Sequence, residues 1–203
     1  MQIKEMGQMT AHIMIRGGNM WHVVLLALVF LFLFACCSHR LDDDVERMYS
    51  MKVDIPYGKM DKRRCSIYAK NRGESTLVLL SYIEEKDCSS CEVSRLTRME
   101  KSYIDAYPDV EFVYIIGVKG EESEYMYRKL CDARVEGTVY LDTCNAFLSA
   151  NPQFPSSPLL HTFVMDRHGK VLLVGNPFSG EKMKSMFGKI VEEHRNAVTQ
   201  QVE

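Results

Sequence analysis

Two cysteines in Asp87-Cys88-Ser89-Ser90-Cys91 stand where one hydrophobic pattern gives way to another. Before them runs Thr76-Leu77-Val78-Leu79-Leu80-Ser81-Tyr82-Ile83, an apolar, partly β-branched segment that reads as a parallel strand buried on both faces. After them Val93, Leu96, Met99, Tyr103 and Ala106 recur every three or four residues, the spacing of one helix face. The pair therefore occupies a strand-to-helix junction. Free backbone N–H groups and the positive end of the helix dipole stabilise a thiolate there, so the attacking thiol is expected at Cys88. Cys91 falls one helical turn further on, in the position of a shielded resolving thiol. The hydroxyls of Ser89 and Ser90 can hydrogen-bond the thiolate. A CxxC on its own is a weak signal, but at this junction it points to dithiol–disulfide chemistry.

The start of the chain indicates where such chemistry would take place. Val23 to Ala35 is an unbroken apolar run of thirteen residues, preceded by Lys4 and Arg16 and followed by Cys36-Cys37. A membrane-spanning helix needs roughly 17–25 residues, so the run fits the apolar region of an export signal better. The residues before Met14 or Met20 add little to that signal, and either methionine is an alternative start. Leu33-Phe34-Ala35-Cys36 resembles a bacterial lipobox, and the resemblance implies lipid modification of Cys36 after cleavage before it. An uncleaved membrane anchor and an ordinary secretory signal are the alternatives, and all three place the remainder outside the cytoplasm. The division expected is a signal with lipobox over 1–35, a solvated charged tether over 36–50, one compact domain over 51–195 and a polar tail over 196–203.

Of seven cysteines, two belong to the signal and two form the pair, which leaves Cys65, Cys131 and Cys144. Cys131 shares a helix face with Tyr127 and Leu130 and reads as a small core residue. Cys65 and Cys144 could pair in an oxidising compartment, but spacing does not give connectivity, and they are read here as unpaired. With 25 basic and 27 acidic residues the net charge is −2, and the basic residues are scattered, which argues against a nucleic-acid partner.

The remaining elements alternate. Val110 to Val118 reads as a central strand, Glu121 to Val135 as a helix, Thr138 to Asp142 as a short strand and Asn145 to Ala150 as a short helix. Three prolines make Asn151 to Pro158 a loop. Thr162 to Asp166 and Val171 to Gly175 flank Arg167-His168-Gly169-Lys170, a hairpin signal. Met183, Met186, Phe187, Ile190, Val191 and His194 then keep a helical period, with the methionines read as core. The order is β-α-β-α-β-(α)-β-β-α, with helices on both faces of the sheet.

This order, with CxxC after the first strong strand, resembles the thioredoxin fold: a three-layer α/β/α sandwich around a mixed sheet. Thr162-Phe163-Val164-Met165-Asp166 followed by Gly169-Lys170-Val171 is similar to the hairpin of the TlpA/ResA-type anchored thioredoxins. The closer resemblance is to thioredoxin-like lipoproteins of Bacteroides-type bacteria, carried by Asp87 to Cys91 and by His161-Thr162-Phe163 through Val174-Gly175-Asn176-Pro177. It spans about Lys52 to Val191.

Two positions depart from that family. Thioredoxins carry Trp before the first cysteine, and here Asp87 stands, with Glu84 and Glu85 close by in sequence. Carboxylates disfavour a thiolate and oppose a helix-dipole effect worth about 0.3–1 kcal/mol. The family's cis-proline, which faces the CxxC and docks substrate, falls on Leu160. A cis bond costs about 2.5–4 kcal/mol before a non-proline residue, against about 0.5–1 kcal/mol before proline. Leu160 is therefore expected to be trans, with Pro158 taking the role only if the loop slips by two residues. Leu159, Leu160 and His161 are expected beside the thiols, the two leucines as an apolar rim.

Zinc would need two further ligands, and there is no second CxxC or HxxxH-type spacing. Cys88, Cys91 and His161 could hold a soft ion such as Cu(I). No elbow motif supports a serine hydrolase, and no glycine-rich loop a phosphate site. The expected function is a thiol–disulfide oxidoreductase, lipid-anchored in a Gram-negative cell envelope at the outer membrane. It would act on exported proteins with thiols or disulfides and be served by an upstream redox partner, with no cofactor and no resident metal. The alternative is a non-catalytic binding lipoprotein that uses the pair for copper or as a structural disulfide.

Overall fold

The computed structural model describes residues 20–63, 76–85, 94 and 103–200. Asp87 to Cys91 and Cys65 lie outside the described residues. The chain divides into two units, residues 1–42 and 43–203.

In the first unit residues 20–42 are helical and belong to α1 (Met20–Ser50). Trp21, Val24, Leu25, Leu26 and Leu28 are exposed. Among the described residues no helix is long and apolar enough to cross a membrane.

The second unit is built on a six-stranded sheet: β1 (Asp61–Arg63), β2 (Leu77–Ile83), β3 (Val110–Gly117), β4 (Thr138–Asp142), β5 (Thr162–Asp166) and β6 (Val171–Val174). Their spatial order is β1-β4-β3-β2-β5-β6. β2 pairs parallel with β3, and β3 with β4, whereas β5 runs antiparallel to β2 and β6 antiparallel to β5. The helices that follow are α2 (Ser123–Asp132), α3 (Ala146–Ala150) and α4 (Glu181–Gln200). From β3 onward the order is as expected, the helix expected between β2 and β3 falls largely outside the described residues, and five of the six strands lie where the hydrophobic runs put them. β1, three residues with an exposed pattern, is too short to show any period.

Every residue of β2 is buried, because apolar groups cover both faces of the sheet. Leu77, Leu79 and Ile83 join Phe112, Tyr114 and Ile116 in one core, closed by Met126 and Leu130 of α2 and Phe187 and Val191 of α4. Val78, Leu80 and Tyr82 join Val113, Ile115 and Phe163 in the other, closed by Phe147 of α3 and by Met48, Val53 and Ile55. The period of two along β2 thus divides its side chains between two layers of helices.

The expected tether is different in the structure. Helix α1 continues to Ser50, the second unit begins at Asp43, and Met48 is fully buried in its core. Met48 and Met51, three residues apart at the end of the charged run, bring apolar side chains to that core. Asp44 and Arg47, one turn apart at 2.9 Å, pair alongside. The expected polar tail is likewise helical as far as Gln200.

The hairpin between β5 and β6 requires its glycine. Gly169 has φ +84°, and a Cβ there would lie 2.1 Å from the Val53 carbonyl oxygen. That closeness lets the Val53 N–H donate to the Gly169 carbonyl at 2.8 Å and ties the stretch after α1 to the hairpin. Asn151 secures the same stretch from the other side: Oδ1 accepts from the Asp54 N–H at 2.8 Å, and Nδ2 donates to the Asp54 carbonyl at 2.7 Å.

Candidate functional site

The chain leaves the C-terminal end of β2 at Ile83, and Cys88 follows five residues later. The element beside that exit is the loop that enters β5. The Tyr82 N–H donates to the His161 carbonyl at 2.8 Å, and the Ser81 and Thr162 hydroxyls lie 3.0 Å apart within hydrogen-bond reach. Residues 159–161 are therefore held at the end of the strand that leads to the cysteines.

No cis peptide bond occurs among the described residues, so Leu160 follows a trans bond, as expected. Pro158 also follows a trans bond and opens a 3-10 turn over Pro158–Leu160. The turn separates the two leucines of the expected rim. Leu159 is 73 % exposed, whereas Leu160 is 5 % exposed and packs inward. With about three residues per turn, adjacent side chains of a 3-10 turn point in different directions. Cys88, Ser89, Ser90 and Cys91 lie outside the described residues. The side chain of Cys36 also lies outside them.

His161 is 3 % exposed, with ring centroids 5.4 Å from Tyr82 and 5.2 Å from Phe154. Its Nε2 lies 2.9 Å from the Pro155 carbonyl oxygen. A carbonyl can only accept, so Nε2 carries a proton and donates, and that nitrogen is unsuited to ligate a soft metal. The same nitrogen is 3.9 Å from Glu84 Oε1. Glu85, the next residue, pairs with Lys119 at 3.4 Å. Among the described residues no three His, Cys, Asp or Glu side chains converge as a metal site.

A crevice of about 460 Å³ opens at the C-terminal ends of β2, β3 and β4, between Glu84 and Glu85 on one side and Thr143, Cys144 and Asn145 on another. Ligands of open α/β sheets bind at such strand ends. Asp142, 3 % exposed, builds one wall: its carboxylate accepts from the Ala146 N–H at 2.8 Å and the Phe147 N–H at 2.9 Å, which caps α3. Asn145 is left-handed at φ 56°, a conformation asparagine tolerates better than most residues. Gly117 forms the floor, where a Cβ would come within 3.1 Å of the Glu85 nitrogen. Cys144 is a free, exposed thiol and Cys131 a free, half-buried one. The sequence reading counted Cys144 among the spare cysteines. Its position just after a parallel strand was the available signal that it lines the crevice.

Two groups away from the crevice have displaced pKa values. Burial pushes the Tyr57 phenol up, with Glu111 adding to the effect. It lines a second cleft, of about 560 Å³, with Lys52 and Arg167 at the hairpin end of the sheet. The hydrogen bond that Arg63 donates to the Asp61 carboxylate raises the guanidinium pKa.

The strand that leads to the cysteines lies between a parallel neighbour and an antiparallel one, and the antiparallel neighbour forms a hairpin with the edge strand before the last helix. The fold is thioredoxin-like. Beyond that core, this thioredoxin-like chain adds β4 and α3 after β3, and β1 at the outer edge.

No family model matches the chain. No curated protein matches it. Solved structures of similar fold include a thioredoxin-like protein in its oxidised form, at 12 % identity over 70 % of this chain and 97 % of that one, with a TM-score of 0.46. An uncharacterised thioredoxin-like protein from Porphyromonas gingivalis is similar at 16 % identity over 61 % and 78 %, with a TM-score of 0.40. The thioredoxin domain of a thiol-disulfide oxidoreductase from Bacteroides vulgatus is similar at 15 % identity over 58 % and 81 %, with a TM-score of 0.40.

Proposed function

We propose that the protein is an envelope-anchored thiol–disulfide oxidoreductase that acts on exported proteins through Cys88 and Cys91. The observation that carries this reading is the position of the pair in the chain. It follows directly on β2, the strand at the centre of a thioredoxin-like sheet, where the 158–161 turn is hydrogen-bonded and a crevice opens. The Cys88 thiolate attacks one sulfur of a substrate disulfide, and the substrate's other sulfur leaves as a thiolate. Cys91, deprotonated, then attacks Cys88 and releases the second substrate sulfur. The substrate gains two electrons, the pair becomes a disulfide, and an upstream dithiol donor returns it to the reduced form. Leu159, exposed in the turn before β5, offers an apolar contact to a substrate chain.

The test is insulin reduction by the reduced protein, with metal analysis of the same preparation. Exchange that depends on the pair, in metal-free protein, is the expected result. No exchange, with bound copper or a permanent disulfide, would replace this reading with that of a binding lipoprotein.

Lipidation at Cys36 is part of the same proposal. Asp43, where the second unit begins, is only seven positions after Cys36. The chain could therefore hold that unit no more than about 25 Å from a lipid anchor. Cys36→Ala is expected to move the protein from the membrane to the soluble fraction and to abolish metabolic lipid labelling. Labelling that survives the substitution would refute the assignment.

A further inference from the structure

We propose that the cleft at the hairpin end of the sheet is a binding site for a small phosphate monoester with an apolar body, held by Lys52, Arg167 and Tyr57. The cleft encloses about 560 Å³ between residues 52–57 and the turn from β5 to β6. That volume is in the range of small-molecule sites. The cleft lies where β2 begins, since Leu77 pairs with Asp166, and about 20 Å along the strand from the exit at Ile83 that leads to the cysteines. It is therefore separate from the site proposed for thiol exchange and does not depend on that reading.

The base is apolar and fixed. Val53, Ile55 and Met165 are buried, and Gly169, at φ +84°, has no room for a Cβ. The Val53 N–H donates to the Gly169 carbonyl at 2.8 Å, Lys52 and Lys170 form an antiparallel bridge, and Asn151 holds both main-chain groups of Asp54. The backbone on both sides of the cleft is thus tied in place before any ligand arrives, which lowers the cost of binding. The Tyr57 ring leans on Tyr140, with centroids 5.2 Å apart, and burial keeps its phenol protonated, so that it can donate.

The charges favour an anion. Among the lining side chains Lys52 and Arg167 are cationic, and Asp54 is the carboxylate that opposes them. The His168 ring adds a further nitrogen that can donate. Outside the lining, the Asp166 carboxylate accepts from the His168 and Lys170 N–H groups at 2.8 and 2.9 Å, and Glu111 is near enough to the Tyr57 phenol to raise its pKa. Ammonium, guanidinium and phenol are three separate donor groups. They match the three terminal oxygens of a phosphate monoester, where a carboxylate has two. The buried base leaves an apolar surface for the organic part of the ester.

The experiment is titration of the isotope-labelled full-length protein with phenyl phosphate, read as chemical-shift changes at the backbone amides of Val53, Tyr57 and Gly169. Saturable changes there are the expected result. Lys52→Gln and Arg167→Gln should each weaken binding about two- to fivefold, the worth of one exposed charge pair. Asp54→Asn removes the opposing charge and should tighten binding by a similar factor. All three side chains are exposed, and the clamp to Asn151 uses only the backbone of Asp54, so the variants should fold. Benzyl alcohol keeps the apolar body without the charge and should give no saturable change. Absence of saturation by phenyl phosphate, equal binding of benzyl alcohol, or an affinity that none of the three substitutions moves would overturn the proposal. Phosphatidylglycerol vesicles separate a lipid headgroup from a free ester: changes at the same amides with vesicles but not with phenyl phosphate would overturn the assignment to a small molecule.

Discussion

Cys88→Ser is expected to reduce insulin no faster than the chemical reductant alone, while Cys91→Ser should retain attack without finishing it and accumulate mixed disulfides with exported proteins. The asymmetry comes from the chain order. The first cysteine is expected at the strand-to-helix junction, where free N–H groups would donate to its thiolate, and the second follows three residues later in the sequence, two residues before apolar Val93. A Cys88→Ser oxygen is far too weakly acidic to replace a thiolate, so loss of exchange should be complete. Loss of the resolving thiol leaves each captured partner attached through its disulfide to Cys88. Non-reducing electrophoresis of membrane fractions, followed by mass spectrometry of the shifted bands, reads both outcomes. Trapping by Cys88→Ser and none by Cys91→Ser would reverse the two roles. Trapping by neither, without exchange with glutathione, would end the oxidoreductase reading.

Phe147→Ala should lower the stability of the second unit by about 3–5 kcal/mol, as truncation of a fully buried aromatic does when its surroundings relax only in part. Phe147 is 0 % exposed, with ring centroids 4.9 Å from Tyr82 and 5.1 Å from Phe154. Domains commonly have only about 5–15 kcal/mol in all, so the variant should lie near the limit of folding. The midpoint of urea unfolding, with an unchanged slope, measures the loss. A midpoint within error of the parent's would show that the aromatic cluster beneath the crevice adds little. The same cluster includes His161, so the variant should also loosen the loop at the end of β2 and speed hydrogen exchange at Tyr82.

The sequence by itself determined the parts of this protein that are local and periodic. The apolar run of β2 marks a strand buried on both faces, and its two alternating sets do enter two cores. The hairpin was marked by Gly169, and the helical period after Met183 by Phe187, Ile190 and Val191, which face the core, although Met186, read as core, is exposed. A turn or a helix is decided within a few residues. The energetic cost of a cis bond placed Leu160 in a trans peptide without any view of its neighbours. Only the tertiary structure decided what depends on distant partners. The three residues of β1 are a strand because β4 lies alongside, and Arg40 to Ser50 is helix because Met48 has a core to enter. Asn151 is a clamp because Asp54, 97 residues away, returns to it. His161 and Glu84 became a pair in the same way, when β5 closed on β2. No local pattern records such meetings: a single polar residue has no period, and its partner is chosen by how the chain closes on itself.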